Sequence, residues 1–311
     1  MLFRSCVATL TRTHPGTDRN TVNNAVMTYG RELLAADWRR LNATSAIGLD
    51  ETSFVKLCSR RGHSYATTVA DVANHQIIEI LPTRSYVDVA GWIDQQPAAW
   101  KHRIRYGALD MSATYTAVYT VMLPQAQQVV DPFHCVQLAN RALDEIRRRV
   151  QHEQKGHRGR RHDPLYRVRR VLLTGEERLD AKATQRLSSL LQLGDPRGEV
   201  ALAYRVKERL REFYRATDIP TAHAMLSELI DHCLRPGLPP ELNKLARTLK
   251  AWFDKICNFH IARISNGPTE ALNNLIKRIG YGFTNFENYR VRALLYAGKP
   301  NWRVLTSIVV R

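Results

Sequence analysis

The chain is short of cysteine, of acidic residues and of long apolar runs, and each shortage excludes a class of protein. Its five cysteines (Cys6, Cys58, Cys135, Cys233 and Cys257) are odd in number, and no two stand at the close spacing of a zinc clip. Neither a disulfide framework nor a Cys-x-x-Cys metal site is available. No stretch approaches the roughly 18 uninterrupted apolar residues of a membrane span. The first residues, MLFRSCVATLTRTHPG, are broken by Arg4, Thr11 and Arg12, a poor secretory signal. The chain therefore reads as a soluble, intracellular (cytoplasmic) protein with no membrane partner. Asp and Glu number 29 against 46 Lys and Arg, a formal net charge of +17.

An excess of that size repels itself unless something anionic neutralises it, and nucleic acid is the usual partner. Residues numbering 311, 44% of them hydrophobic, suffice for a large core and about two domains.

The first 43 residues carry one helix signal. Asp18 is a candidate N-cap, Val22, Ala25 and Val26 are apolar, and Gly30 is a candidate stop, so Thr21 to Tyr29 reads as a helix. It suits either the recognition helix of a helix-turn-helix or an ordinary surface helix. From residue 44 the texture changes. Thr44–Leu57, Tyr65–Val72 and Gln76–Leu81 are β-branched runs joined by short turns, an antiparallel meander. Helical segments follow from Tyr86 and from Pro97, then a strand Ile104–Asp110, a helix Ser112–Leu123, a strand Gln127–Val130 and a helix from about Phe133. The order β-β-β-α-β-α-β-α gives a mixed five-stranded sheet flanked by helices. Residues from about 141 to 261 read as entirely helical, an insertion interrupted by the basic loop Gln154–Asp163 and by Arg235-Pro-Gly-Leu-Pro-Pro240. The end returns as Leu242–Ile261, a break at Ser265–Pro268, a helix Thr269–Ile279 and a helix near Asn288–Ala297. The expected division is 1–43, then a core of 44–140 with 262–311, with 141–261 inserted.

Three carboxylates stand where strands or helices begin or end. Asp50 lies in the first strand, Asp110 closes the fourth, and Glu270 sits in the first turn of a helix opening at Asn266-Gly-Pro268. With the first and fourth strands adjacent, both aspartates project toward one edge, and a docking helix would bring Glu270 to them. Converging carboxylates repel one another unless a divalent cation lies between them. Oxygen donors without cysteine favour Mg²⁺ or Mn²⁺, and two such ions suit in-line phosphodiester attack. The alternative is structural, because Asp at strand ends and Glu in first helical turns are favoured anyway. Glu270, Asn273, Asn274 and Lys277 form one polar helix face, and Leu272, Leu275, Ile276 and Ile279 an apolar one. The polar face fits either a phosphate backbone or solvent.

The segments Ser265-Asn-Gly-Pro-Thr-Glu-Ala-Leu-Asn-Asn274, Tyr281-Gly-Phe-Thr-Asn-Phe-Glu-Asn-Tyr-Arg290 and Arg292-Ala-Leu-Leu295 resemble the C-terminal signature of ISL3-family insertion-sequence transposases. Ile47–Glu51 with Arg61–Tyr65 is similar to that family's first catalytic block, and Leu109–Tyr115 to its second. Asp131–Asn140 resembles the following segment, an Asp-x-x-His arrangement shared with Mutator-like transposases. The resemblance spans roughly residues 45 to 300. It implies a ribonuclease-H-like fold and a DDE site of Asp50, Asp110 and Glu270 binding two Mg²⁺ (or Mn²⁺) ions. It implies DNA as partner, both transposon ends and target, and synapsis of two ends makes a homodimer the expectation. A nucleoid-associated location follows from a DNA partner.

Asp131, His134, Asn266, Asn273 and Lys277 are accessory candidates; the His134 ring suits either a scissile phosphate or a structural hydrogen bond. Arg60, Arg61, His63, Lys155, Arg158, Arg160, Arg161 and Arg278 are candidate DNA contacts, or simply solvated. Family members carry an N-terminal zinc module and a complete helix-turn-helix. Here only Thr21–Tyr29 precedes the first block, which reads as a shortened front. A ribonuclease-H-type nuclease and a non-cutting DNA-binding remnant remain the alternatives.

Overall fold

In the computed structural model the described residues are 18–41, 44–56, 63–279 and 285–308. They divide into two compact units: residues 1–129 with 264–311, and residues 130–263.

The first unit is built on a sheet. Strands β1 (Ala46–Lys56), β2 (His63–Asp71), β3 (Gln76–Leu81), β4 (Tyr106–Leu109) and β5 (Gln127–Val130) lie in the order β3-β2-β1-β4-β5. β1 pairs antiparallel with β2 and parallel with β4, and β2 pairs antiparallel with β3. The expected mixed sheet is thus present. The paired segments Ala46–Leu49 of β1 and Tyr106–Leu109 of β4 read as near-continuous apolar runs because both faces are covered. Ile47, Leu49, Ala108 and Leu109 are fully buried, and every residue of β3 is buried or nearly so.

Helices α2 (Tyr86–Asp94), α3 (Ala98–Arg103) and α4 (Ala113–Met122) belong to the β3–β4–β5 crossovers. Ser85 and Ser112 cap α2 and α4 through their side chains. From α4, the buried Tyr119 hydroxyl donates to the carbonyls of Ile47 and Ala108, at 3.0 and 3.2 Å. Its ring lies so close over Gly107 that a Cβ there would stand 2.5 Å from it.

Helices α13 (Gly267–Ile279) and α14 (Phe286–Ala297) return to the same sheet, α13 against β1 and β2 and α14 against β3. Leu272 and Ile276 of α13 join Ile77, Ile80, Tyr289 and Leu294 in one apolar cluster. An ion pair lies beside it, the Arg290 Nε donating to Glu79 Oε1 at 2.7 Å.

Helix α1 (Arg19–Ala36) also belongs to this unit and packs on α14. Asp18 caps it, accepting from the Thr21 amide at 2.6 Å. The expected stop at Gly30 is wrong, because the helix continues to Ala36. Gly30 serves packing instead: a Cβ there would stand 2.9 Å from Leu295 and from Val291 on α14. Helix interiors accept glycine where a neighbouring helix comes this close, at about 1 kcal/mol of propensity.

The second unit is all helical: α5 (Pro132–Lys155), α6 (Pro164–Val168), α7 (Ala181–Gly194), α8 (Glu199–Phe213), α9 (Ile219–Cys233), α10 (Pro240–Ala251), α11 (Phe253–Cys257) and α12 (Phe259–Ala262). The run expected as Leu242–Ile261 is thus three short helices, broken at Trp252 and Asn258. Helices α5, α6, α9 and α10 begin with proline in the first turn, where its missing N–H costs nothing. Arg149 of α5 ties three helices together, its guanidinium bonded to Glu153 (3.1 Å), to Glu199 of α8 and to Glu241 of α10 (2.8 Å). Lys207 is fully buried in α8, donating to the Leu172 and Thr174 carbonyls at 2.7 and 2.9 Å. Among the described residues, no helix is long and apolar enough to cross a membrane.

Candidate active site

The register of β1 against β4 aims both aspartates the same way. Gly48 sits directly across from Ala108, so two residues further Asp50 and Asp110 fall on the same face of the sheet. That face carries α13. Gly48 faces it so closely that a Cβ would stand 2.3 Å from the Thr269 hydroxyl and 2.7 Å from Asn266 Oδ1. The glycine lets the start of α13 settle onto the strand beside the aspartates.

Helix α13 holds both carboxylates through asparagine amides. Asn266, wholly buried just before the helix, donates from Nδ2 to Asp110 Oδ1 at 3.1 Å. Asn273, two turns along, donates from Nδ2 to Asp50 Oδ2 at 2.6 Å. The Asn273 Oδ1 accepts in turn from the buried Thr68 hydroxyl, at 2.6 Å. Thr68 is the cross-strand partner of Asp50 in β2, so the residue beside the aspartate orients the amide that binds it. Glu270 lies in the first turn of α13, its amide bonded to the Asn266 carbonyl at 3.0 Å. A carboxylate there also meets the positive end of the helix dipole.

Burial raises the Asp50 pKa to about 6, with the negative charges of Asp110 and Glu270 pushing the same way. The Asn273 amide and the Glu51 N–H oppose that rise. The three acids therefore lie within electrostatic reach of one another, at a site where the charged state is costly. A divalent cation relieves such a cluster, and its oxygen-only donors suit Mg²⁺ or Mn²⁺. The residues present fit that group.

The other sequence candidates are carried by several elements. Asp131, almost fully buried, caps α5 by accepting from the Phe133 amide at 2.9 Å. His134, in the first turn of α5, sets its ring edge-to-face with Phe133 at 5.6 Å. Lys277 and Arg278 are in the last turn of α13, Lys277 exposed and Arg278 likewise. Asn273, read as part of a polar outer stripe with Lys277, is instead buried against β2. His63 opens β2 opposite Lys56, and Arg60 and Arg61 lie outside the described residues. Lys155 ends α5, and Arg158, Arg160 and Arg161 are on the loop that follows. That loop is shaped by Gly156 and Gly159 at positive φ and by Asp163, which accepts from the Arg160 amide. Thr68 and Gly48 were missed. A glycine inside an apolar strand is the signal that could have drawn attention to Gly48.

Known proteins resemble this chain over most of its length. A family model described as a transposase, that of the ISL3 DDE group, matches residues 47–293. The transposase for insertion sequence element IS1001 of Bordetella parapertussis is 27% identical over 83% of this chain and 62% of its own length. The transposase for insertion sequence element IS1557 of Mycobacterium tuberculosis is 28% identical over 76% of this chain and 56% of its own length. The chain thus aligns over about three fifths of the length of these relatives. A ribonuclease-H-like sheet, with the motif-bearing residues on one face and the match running from β1 to α14, places this chain in the ISL3 family of insertion-sequence transposases.

Proposed function

We propose that this chain carries out metal-dependent DNA strand cleavage and transfer at Asp50, Asp110 and Glu270. The observation that carries the reading is that the segment bearing Glu270 binds both aspartates, Asn266 to Asp110 at 3.1 Å and Asn273 to Asp50 at 2.6 Å, and the raised Asp50 pKa goes with it. Two Mg²⁺ or Mn²⁺ ions held by these carboxylates would supply Lewis acidity for in-line attack of water or a 3′-hydroxyl on a phosphodiester. Asp50 and Asp110 are the holding pair, and Glu270 completes the set and orients the nucleophile. Asn266 and Asn273 fix the carboxylate rotamers, the task that outer hydrogen bonds perform around metal ligands. Asp131 and His134 are further candidates for contact with substrate, from the Asp-x-x-His pattern. Residues 141–261 are read as an insertion within the catalytic core, Lys155, Arg158, Arg160 and Arg161 as contacts to the DNA backbone, and a homodimer as the unit that pairs two transposon ends.

The test is Mn²⁺ binding by calorimetry, in wild type and Asp110→Ala, beside a nicking assay on duplex DNA. Binding lost in Asp110→Ala and nicking lost in Asp50→Ala support the reading. Equal metal binding by both proteins would overturn it. Joining of 3′ ends to a target separates strand transfer from plain nuclease action.

A further inference from the structure

Several arginines of the helical unit are neutralised within it. Arg147, Arg149, Arg178, Arg197, Arg211 and Arg215 all pair with carboxylates. Other cations of the unit are not so neutralised among the described residues, and three of them line one pocket. The turn between α9 and α10 bounds a concave pocket of about 520 Å³ lined by Arg235, Lys244 and Arg247 together with Pro236, Gly237 and Asn243. No carboxylate lines it, and none of its three cations forms an ion pair among the described residues.

Two further cations extend the patch. His232, one turn before Arg235 on α9, has its pKa lowered by burial and then by the positive charges of Arg235, Arg209 and Arg205. Arg205 and Arg209, one turn apart on α8, are exposed and likewise make no ion pair among the described residues. Five uncompensated cations, two from α8, one from the turn and two from α10, therefore share one surface. Holding like charges together costs free energy unless an anion neutralises them.

The turn is also stiff. Pro236, Pro239 and Pro240 fix three backbone φ angles, and Gly237 takes the left-handed conformation at φ 82° with open space around it. Little ordering remains to be done when an anion binds.

We infer that the α9–α10 turn is a docking surface for the sugar-phosphate backbone of duplex DNA, gripped by Arg235, Lys244 and Arg247 and flanked by Arg205 and Arg209. This rests on DNA being the substrate, and it involves residues other than the three carboxylates and the Lys155–Arg161 loop. The chemistry is that of phosphate positioning, without base reading.

The test is the salt dependence of binding to a labelled duplex, followed by fluorescence anisotropy on the full chain without divalent metal. Every Lys or Arg withdrawn from a phosphate lowers the slope of log K against log salt by about one. Arg235→Ala with Arg247→Ala is expected to lower it by about two and to weaken binding roughly tenfold or more at low salt. Arg235→Lys with Arg247→Lys keeps the charge and is expected to keep the slope. Lys182→Ala with Arg186→Ala removes the same charge from α7 and is expected to change the slope by less than about half. An unchanged slope in the first variant, or an equal fall in the α7 control, overturns the docking surface and leaves the cleavage reading standing. Failure of the wild type to bind duplex DNA overturns both. All the substituted positions are exposed, and an unchanged circular-dichroism melt confirms that the variants fold.

Discussion

Asn273 and Asp50 stand 223 positions apart in the chain, and the amide of one donates to the carboxylate of the other at 2.6 Å. A single hydrogen bond thus joins the last helical motif to the first strand motif. Its second half, Thr68 to Asn273 Oδ1, fixes which end of the amide faces the acid.

Replacing Asn273 with alanine removes a group that lowers the Asp50 pKa. The carboxyl then titrates higher still, and metal affinity is expected to fall about 10–100-fold. The loss is expected to be larger at pH 6 than at pH 8, because the cation must displace the extra proton. Calorimetric titration with Mn²⁺ at the two pH values checks this. Thr68→Val is expected to act in the same direction, more weakly.

Asp50 has a folded pKa of about 6, above its ordinary 3.8. The folded state therefore holds a proton that the unfolded state has released across that window, and metal-free stability falls as pH rises from about 4 to 6. The full penalty, about 3 kcal/mol, persists above pH 6. Asp50→Asn is expected to recover most of it at pH 8 and almost none at pH 4, as read by urea denaturation in EDTA. Equal effects at both pH values would contradict the assignment.

Two glycine-to-alanine substitutions are expected to differ in sign. At Gly48 the new methyl collides with Thr269 and Asn266, so Gly48→Ala should destabilise by about 1–3 kcal/mol and lower nicking by displacing α13. At Gly91, inside α2, nothing lies within 4 Å, and Gly91→Ala should stabilise by about 0.5–1 kcal/mol. Thermal unfolding of both variants reads the contrast.

Arg149→Ala is expected to cost about 2–4 kcal/mol, because Glu199 and Glu241 are mostly buried and lose their cation together. Arg178→Ala removes a largely exposed partner and should change stability by less than about 1 kcal/mol. Urea midpoints of the two variants decide it.

Much of the sheet was legible because its strands are apolar, β-branched and separated by short turns. β3 and β5 begin and end where the residue pattern put them, and the helical stretch after residue 140 was plain from its periodicity. Gly30 misled because a glycine needed for helix packing looks the same in sequence as one needed for a helix end. The burial of Asn273 was hidden for a related reason. Helical spacing placed it beside Lys277, but it lies nearly over the buried row of Leu272 and Ile276, and only the position of β2 decides that it faces inward. The three acids were identified from motif resemblance. Spacing alone did not separate them from ordinary capping residues.

The first unit is discontinuous: its strands are complete by about residue 130, but α13 and α14 begin only beyond residue 264. During synthesis at about 5–20 residues per second, the intervening 130 or so residues take roughly 7 to 30 s to emerge. Throughout that interval Ile77 and Ile80 have α1 beside them in the chain already made, but lack the cover that Leu272, Ile276, Tyr289 and Leu294 of α13 and α14 supply. The nascent chain is thus expected to spend seconds as a chaperone client. The amides that steady Asp110 and Asp50 are translated 156 and 223 residues after the acids they hold, so the acidic centre assembles only once the whole helical stretch between them has been made.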